Sequence, residues 1–250
     1  SDYGYYFISD TAGEQRLISY AEALDDTNAY DIDWYTAYYL HEMEKINLID
    51  KTGKSGGGRE FYGETLQAHD KTLNVSFNTQ HVRTDLPMTC FADVAASSSE
   101  HSTFTLQLAG KSTMVTIKPI STSDFETKAE SGTMLLKTYP QTTGRQNVVL
   151  YYDYASSESS SMGYVNYIEL NVPLELTLQG SAISICNTNY LFQTRNTRFT
   201  LTNATATTQI WRVTDGVNIE QIPTTINQNQ MTWIGSNAQV EKYMAVDVRA

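Results

Sequence analysis

Apolar and polar residues alternate in short runs along most of this chain. The runs at 73–77, 104–108, 114–117, 148–152, 164–168 and 174–178 are β-prone and mostly period-two, and 199–201, 209–213 and 243–247 continue the series. Alternation puts one face of a strand against a core and the other in solvent, as in antiparallel sandwiches. Polar punctuation returns roughly every 8–12 residues, the spacing of sandwiches and barrels. Turns are expected at 97–100, 109–111, 141–144 and 156–161, the last a serine-rich loop tip. The fold is expected to be mainly β: an antiparallel, jelly-roll-like β-sandwich with a smaller β-rich segment ahead of it.

The first 54 residues follow the pattern less closely. Tyr5 to Ile8 reads as strand. Leu17, Ala21 and Leu24 fall at helical spacing, so a short helix fits from Glu14 to Leu24. Residues 34–42 suit either period. Tyr35, Tyr38 and Tyr39 could share a helix face, while their aromatic bulk favours a strand, the reading adopted. The organisation expected is a β-rich segment over 1–54, the end of a truncated domain or a strip along the main sandwich, followed by a sandwich over 55–250. The glycine-rich stretch at 53–58 marks the boundary, and no internal repeat is visible.

The 250 residues suffice to bury a core, and 17 tyrosines add amphipathic bulk suited to strands. The net charge is −11 and the few Lys and Arg are scattered. A nucleic-acid binder needs a basic footprint to neutralise phosphates, so that class is excluded. No apolar run approaches the roughly 20 residues of a membrane span, and no basic start with an apolar core marks a signal peptide. Ser1 opens directly onto strand-like sequence, so the chain reads as an internal piece of a longer protein. Missing targeting signals then say nothing about location.

Candidate chemistry is sparse. His41, His69, His81 and His101 form no zinc-ligand spacing, and His41 and Glu42, adjacent on a strand, would point to opposite faces. Asp25, Asp26, Asn28, Asp31 and Asp33 offer enough oxygens for a weak calcium site, but without EF-hand spacing a solvated acidic loop is the simpler reading. No cofactor or metal is expected. Cys90 and Cys186 both sit in alternating apolar runs; two separate buried thiols is the simpler reading and a disulfide the alternative. Trp34, Trp211, Trp233 and the tyrosines raise carbohydrate binding, though alternation assigns Trp211 to core packing.

The stretch Ser55-Gly-Gly-Gly-Arg-Glu-Phe-Tyr-Gly-Glu64 stands apart, with four glycines in ten residues. It predicts a tight, irregular turn, anchored by Phe61 or Tyr62, with Glu64 in reach of Arg59. Its Gly58, Arg59, Phe61, Tyr62, Gly63 and Glu64 resemble a Ser-x-x-Gly-Arg-x-Phe/Trp-x-Gly-Glu motif of the gingipain-like cysteine peptidases that act as type IX secretion sortases. Gly56 and Gly57 lengthen the glycine run, and Phe61 stands where Trp is expected. Gly163-Tyr-Val-Asn-Tyr-Ile-Glu-Leu-Asn171 with Leu174 resembles that family's Gly-x-Leu-Asp-Tyr-Ile-x-Leu-Asn segment. Ile210-Trp-Arg-Val-Thr-Asp215 resembles its Trp-Asp-Val-Thr-Asp segment, with Arg212 replacing an acid. Glu241-Lys-Tyr-Met-Ala-Val-Asp247 is similar to the strand leading into its caspase-like domain. The four fall in the family's order.

The resemblance implies a non-catalytic region preceding the peptidase, supporting it and contacting cargo or other secretion components at the bacterial cell surface. The parent would cleave C-terminal sorting signals from secreted cargo. No residue matches a catalytic position: every His precedes Glu, Asp, Val or Ser, and the family's His-Gly segment is absent. The chain alone is therefore expected to be inert. Asp10-Thr-Ala12 is similar to the O-glycosylation acceptor of the Bacteroidota. The alternative expectation is an independent carbohydrate-binding sandwich, and a third is a purely structural adhesin or stalk module.

Overall fold

Alternating strands become sheet only where they find partners, and here they find them in four sheets. The computed structural model describes residues 18–48, 61–67, 69–121, 128–155, 160–186 and 188–249, and every regular element among them is a strand. The first are β1 (Ser19–Tyr20), β2 (Tyr30–Ile32), β3 (Trp34–Glu42), β4 (Thr65–Leu66), β5 (Thr72–Phe77) and β6 (Met88–Ser97). Next come β7 (Ser102–Leu108), β8 (Lys111–Ile117), β9 (Glu130–Thr138), β10 (Gln146–Tyr154), β11 (Met162–Glu175) and β12 (Ala182–Cys186). The last are β13 (Thr197–Leu201), β14 (Thr208–Arg212), β15 (Glu220–Gln221), β16 (Thr225–Asn227), β17 (Gln230–Gly235) and β18 (Lys242–Asp247).

The first sandwich pairs a β5-β10-β7-β8 sheet with a β3-β11-β6-β9 sheet, and β4 adds to β11. Its pairings are all antiparallel. Burial follows the alternation: Val148, Leu150 and Tyr152 of β10 are buried, as are Cys90, Ala92 and Val94 of β6. Tyr39 and Phe77 meet edge to face across the two sheets at 6.2 Å. The expected turn at 109–111 closes the β7–β8 hairpin. Ala109 and Gly110 both take positive φ (49° and 72°) between the paired Leu108 and Lys111, as a two-residue type I′ loop requires.

The second sandwich pairs a β1-β15-β14-β18-β12 sheet with a β16-β17-β13-β2 sheet. Phe199, Trp233 and Tyr243 lock these sheets together. Phe199 stacks on Trp233 at 4.9 Å, and Tyr243 meets the two rings at 5.5 and 5.8 Å. One buried cluster continues from Leu174, Leu176 and Leu178 into this core. Three backbone bonds carry the crossing: Leu176 N to Asp33 O at 2.7 Å, Leu178 N to Thr202 O at 2.9 Å and Thr202 N to Leu176 O at 2.9 Å.

Residues ahead of the expected boundary are shared between both sandwiches. β1 joins β15 and β2 joins β13, both in parallel, while β3 joins β11 antiparallel. The boundary itself at 53–58, the strand expected at Tyr5–Ile8 and the Asp10–Ala12 acceptor lie outside the described residues, as do 156–159 of the serine-rich tip. Within the described part of the expected helix, Ser19–Tyr20 is strand and 21–26 has no regular structure. Ser19 and Ala21 give their N–H groups to Ile219 and Gln221 at 3.3 and 2.9 Å, a distant ladder that outcompetes a local turn. Residues 34–42 form strand, as read. The runs expected at 164–168 and 174–178 belong largely to one 14-residue strand, β11. Pro173 sits inside it without an N–H to give, and its carbonyl accepts from Arg83 N at 2.9 Å.

Candidate functional site

The four family-like segments meet in pairs, one pair in each sandwich. In the first, β3 follows one edge of β11 as far as Glu42, opposite Tyr167. The chain then departs, and β4 resumes the same edge in the same direction at Thr65, opposite Tyr164. Gly63 N donates to Val165 O at 2.8 Å and Val165 N to Glu64 O at 3.0 Å, so the end of the glycine-rich motif docks on β11. It docks where β11 bulges against β6, between Val165 and Tyr167.

Gly63 marks the neck of this excursion. A Cβ there would stand 2.5 Å from Met43 Cβ and 2.6 Å from Met43 O, so returning and departing chains pass too closely for a side chain. Tyr62 is buried, bridges Ile46 through two backbone bonds of 2.8 and 2.9 Å, and packs with Leu48, Ala95 and Tyr164. Of the two expected anchors, Tyr62 is the buried one and Phe61 is exposed.

Gly58 and Arg59 lie outside the described residues, and the partner found for Glu64 is His41. The ring Nε2 lies 2.6 Å from Glu64 Oε1. Burial pushes the Glu64 carboxyl up, but the His41 bond and the nearby Lys45 charge outweigh it and leave it below its ordinary value. Oε2 is buried without a hydrogen-bond partner among the described residues. His41 and Glu42 diverge as expected, Glu42 being exposed. The His41–Glu64 pairing is invisible in the sequence because 23 residues separate the two.

In the second sandwich β14 and β18 are neighbours, with Trp211 opposite Met244 and Arg212 opposite Tyr243. The Arg212 guanidinium bonds Glu220 through Nε at 3.0 Å and through a second, shorter contact from Nη2, and reaches Glu241 Oε1 at 3.1 Å. Glu241 is 5% exposed and also accepts from the Tyr243 hydroxyl and from Ser236 N at 3.1 Å. Burial, then the Glu241 charge, push the Tyr243 phenol strongly upward. Two carboxylates thus compensate Arg212.

Trp211 corrects an expectation. Ile210 is the wholly buried residue of β14, and the half-buried indole of Trp211 on the other face donates to Gln209 Oε1 at 3.0 Å. Strand parity admits only one of two neighbours to the core. Trp233 takes the core position instead.

The remaining candidates separate. Asp25 accepts from Thr27 N at 2.9 Å, Asp26 and Asp31 bind Arg198, and Asp33 binds Arg83 at 2.9 Å beside Asp85. Asp26, Asp31 and Asp33 thus pair with arginines, and no group of three or more potential metal ligands occurs among the described residues. Cys90 and Cys186 are unbonded. Burial, then the Glu169 charge, push the Cys90 thiol up to about 12, and burial also raises Cys186. A nucleophilic cysteine needs the opposite shift. His69 and His101 are exposed, and His81 lies 3.7 Å from Glu175. Among the described residues no helix is long and apolar enough to cross a membrane.

These features define two mainly antiparallel β-sandwiches whose described thiols are raised by burial. No protein-family model matches the sequence, and no curated protein does. The fold is similar to that of dimeric latent PorU from Porphyromonas gingivalis, with a TM-score of 0.78 over 93% of this chain at 14% identity. The chain spans 22% of that protein's length. A carbohydrate-binding module, CBM36, in complex with calcium and xylotriose matches 54% of this chain and 98% of its own at TM-score 0.32 and 18% identity. TmCBM61 in complex with a galactotriose matches 58% and 91% at TM-score 0.27 and 11% identity. The PorU likeness establishes a shared fold; the two modules at these scores carry no argument.

Proposed function

We propose that this chain is a non-catalytic β-region of a gingipain-like type IX secretion sortase. In this reading it supports the peptidase and offers surface to cargo or to other secretion components on the extracellular face of the outer membrane. The observation that carries it is a coincidence of order and contact. The four segments that resemble the family in sequence order also touch pairwise, Gly63–Glu64 on β11 and β14 on β18. The fold likeness to PorU over 93% of the chain is consistent with it. The test is the coding sequence beyond codon 250. A caspase-like domain with a His-Gly segment and a later cysteine supports the reading, and a stop codon or further β-modules overturns it.

Glycan binding is a second reading that draws on one observation: Tyr38, Phe91 and Tyr167 share the outer face of the β3-β11-β6-β9 sheet. Against it, Phe91 and Tyr167 stack on each other at 5.9 Å, and Trp233 is buried. Retardation on a polysaccharide gel that Tyr38→Ala abolishes would bring this reading forward.

A further inference from the structure

The first sandwich has two outer faces, and they are built differently. On the β5-β10-β7-β8 sheet the outward positions are mostly Thr, Ser, Asn and Gln, and Asn74, Val149, Gln107 and Ser112 make one cross-strand row. The one acid in these four strands is Asp153, and Lys71 lies 3.5 Å from it. That is an ordinary solvent face.

The outer face of the β3-β11-β6-β9 sheet is apolar and acidic instead. Leu40, Glu169, Phe91 and Leu135 make one cross-strand row, and Glu42, Tyr167, Asp93 and Thr133 make the next. Tyr38, Leu40 and Leu135 are exposed at 55%, 44% and 63%. The four strands carry Glu42, Asp93, Glu130, Glu169 and Glu175 against a single Lys or Arg, Lys137.

Two of these acids act on Tyr38. Its hydroxyl donates to Glu169 Oε1 at 3.0 Å. Burial first, then that bond and the Glu169 and Glu42 charges, push the phenol up. Asp26, Asp31 and Asp33 are compensated by arginines, whereas Glu42 and Glu169 have no Lys or Arg partner among the described residues. An exposed ring tied to an uncompensated carboxylate suits a guanidinium, whose plane stacks on the ring while its N–H fork meets the carboxylate. An ammonium answers the charge but not the shape. A glycan brings no charge to answer it, and a second copy of this chain would bring a net charge of −11.

We propose that the outer face of the β3-β11-β6-β9 sheet docks a protein surface that presents arginine among apolar side chains. The guanidinium lies over Tyr38 against Glu169 and Glu42, and the apolar side chains cover Leu40 and Leu135. Such docking does not require a peptidase domain beyond residue 250.

The probe is a capped pentapeptide alternating arginine and leucine, titrated into the isotopically labelled 250-residue chain. Saturable binding is expected, with shifts concentrated at Tyr38, Leu40, Phe91, Leu135 and Glu169. Glu169→Gln keeps an acceptor for the Tyr38 hydroxyl and removes the charge. It should weaken binding roughly tenfold and leave the melting temperature unchanged, and Leu135→Lys, at an exposed position, should do the same. Lysine in place of arginine in the peptide should also lose roughly tenfold. Asp153→Asn, on the other outer face, should leave affinity unchanged, which separates this face from the general attraction of an acidic chain. Absent or evenly spread shifts overturn the proposal. So do equal affinity for the lysine peptide, full affinity in Glu169→Gln, and an equal loss in Asp153→Asn. Shifts of the same residues by xylan alone would assign the face to glycans, and concentration-dependent shifts without peptide would assign it to a second copy; either result also overturns it.

Discussion

The two sandwiches both join their motif segments by backbone pairing but add different side chains to it. In the first, Gly63 and Glu64 exchange main-chain bonds with Val165, the buried Tyr62 meets Tyr164 edge to face at 6.2 Å, and the His41–Glu64 pair closes the site. In the second, a backbone ladder pairs Thr208–Arg212 with Tyr243–Asp247 and a charged cluster is added to it, with Arg212 set between Glu220 and the buried Glu241 beside three packed rings. A backbone junction is indifferent to side-chain identity except where a Cβ does not fit. A charged cluster with a buried member changes only with compensation. The two positions that differ from the segments they resemble illustrate this. Phe61, in place of tryptophan, is exposed and demands nothing, whereas Arg212, in place of an acid, stands between two carboxylates.

The comparison can be broken first at Trp233. Trp233→Ala should remove about 3–5 kcal/mol, the cost of truncating a buried aromatic, read as a lower urea midpoint. A loss no greater than that of an exposed alanine substitution would show that the ring stack is not what holds the second sandwich. Arg212→Ala comes next. It leaves Glu241 with only the Tyr243 hydroxyl and Ser236 amide, and breaking a buried pair costs about 3–5 kcal/mol. Arg212 keeps 26% exposure, so about 2–3 kcal/mol is expected after screening. Arg212→Met combined with Glu241→Gln should recover part of that loss if an uncompensated carboxylate is its cause.

Gly63→Ala should cost about 1–3 kcal/mol, because the obstacle includes Met43 backbone rather than a side chain that can swing away. Phe61→Ala, two residues away, should stay within about 0.5 kcal/mol. The same denaturation series reads both, and equal costs would deny the backbone character of the first junction. The smallest effect expected is in pH. The folded carboxyl of Glu64 lies below its ordinary value, so its contribution is complete above the ordinary carboxylate range and is lost as pH falls through the folded value. The unsubstituted chain should therefore lose more stability on acidification than Glu64→Gln, and parallel curves would remove His41–Glu64 from the account.

Much of the fold was legible because alternation is local. The runs at 73–77, 104–108 and 148–152 became β5, β7 and β10, and the Ala109-Gly110 turn fell where punctuation placed it. β9 escaped because Leu135, between the buried Met134 and Leu136, is exposed and reads as a continuous apolar run. β1 escaped because a two-residue strand is too short to show any period. The candidate site was half legible. Tyr62 and Gly63 were marked by composition, while the partner of Glu64 and the ion cluster around Arg212 depend on residues far apart in the chain.

The sequence by itself determined that this chain is built from strands and which face of most of them is buried, because period two is a property of neighbouring residues. Only the tertiary structure decided that there are two sandwiches, and that Ser19 and Tyr30 complete the one formed mainly by the chain's last third, opposite Glu220 and Thr197. It also decided that β3 and β12, terminal strands of different sheets among the described residues, border one groove. Partner and register are settled by which apolar faces can be covered at once and which backbone rows remain to be paired. Those are properties of the whole packed chain, and no stretch of it carries them alone.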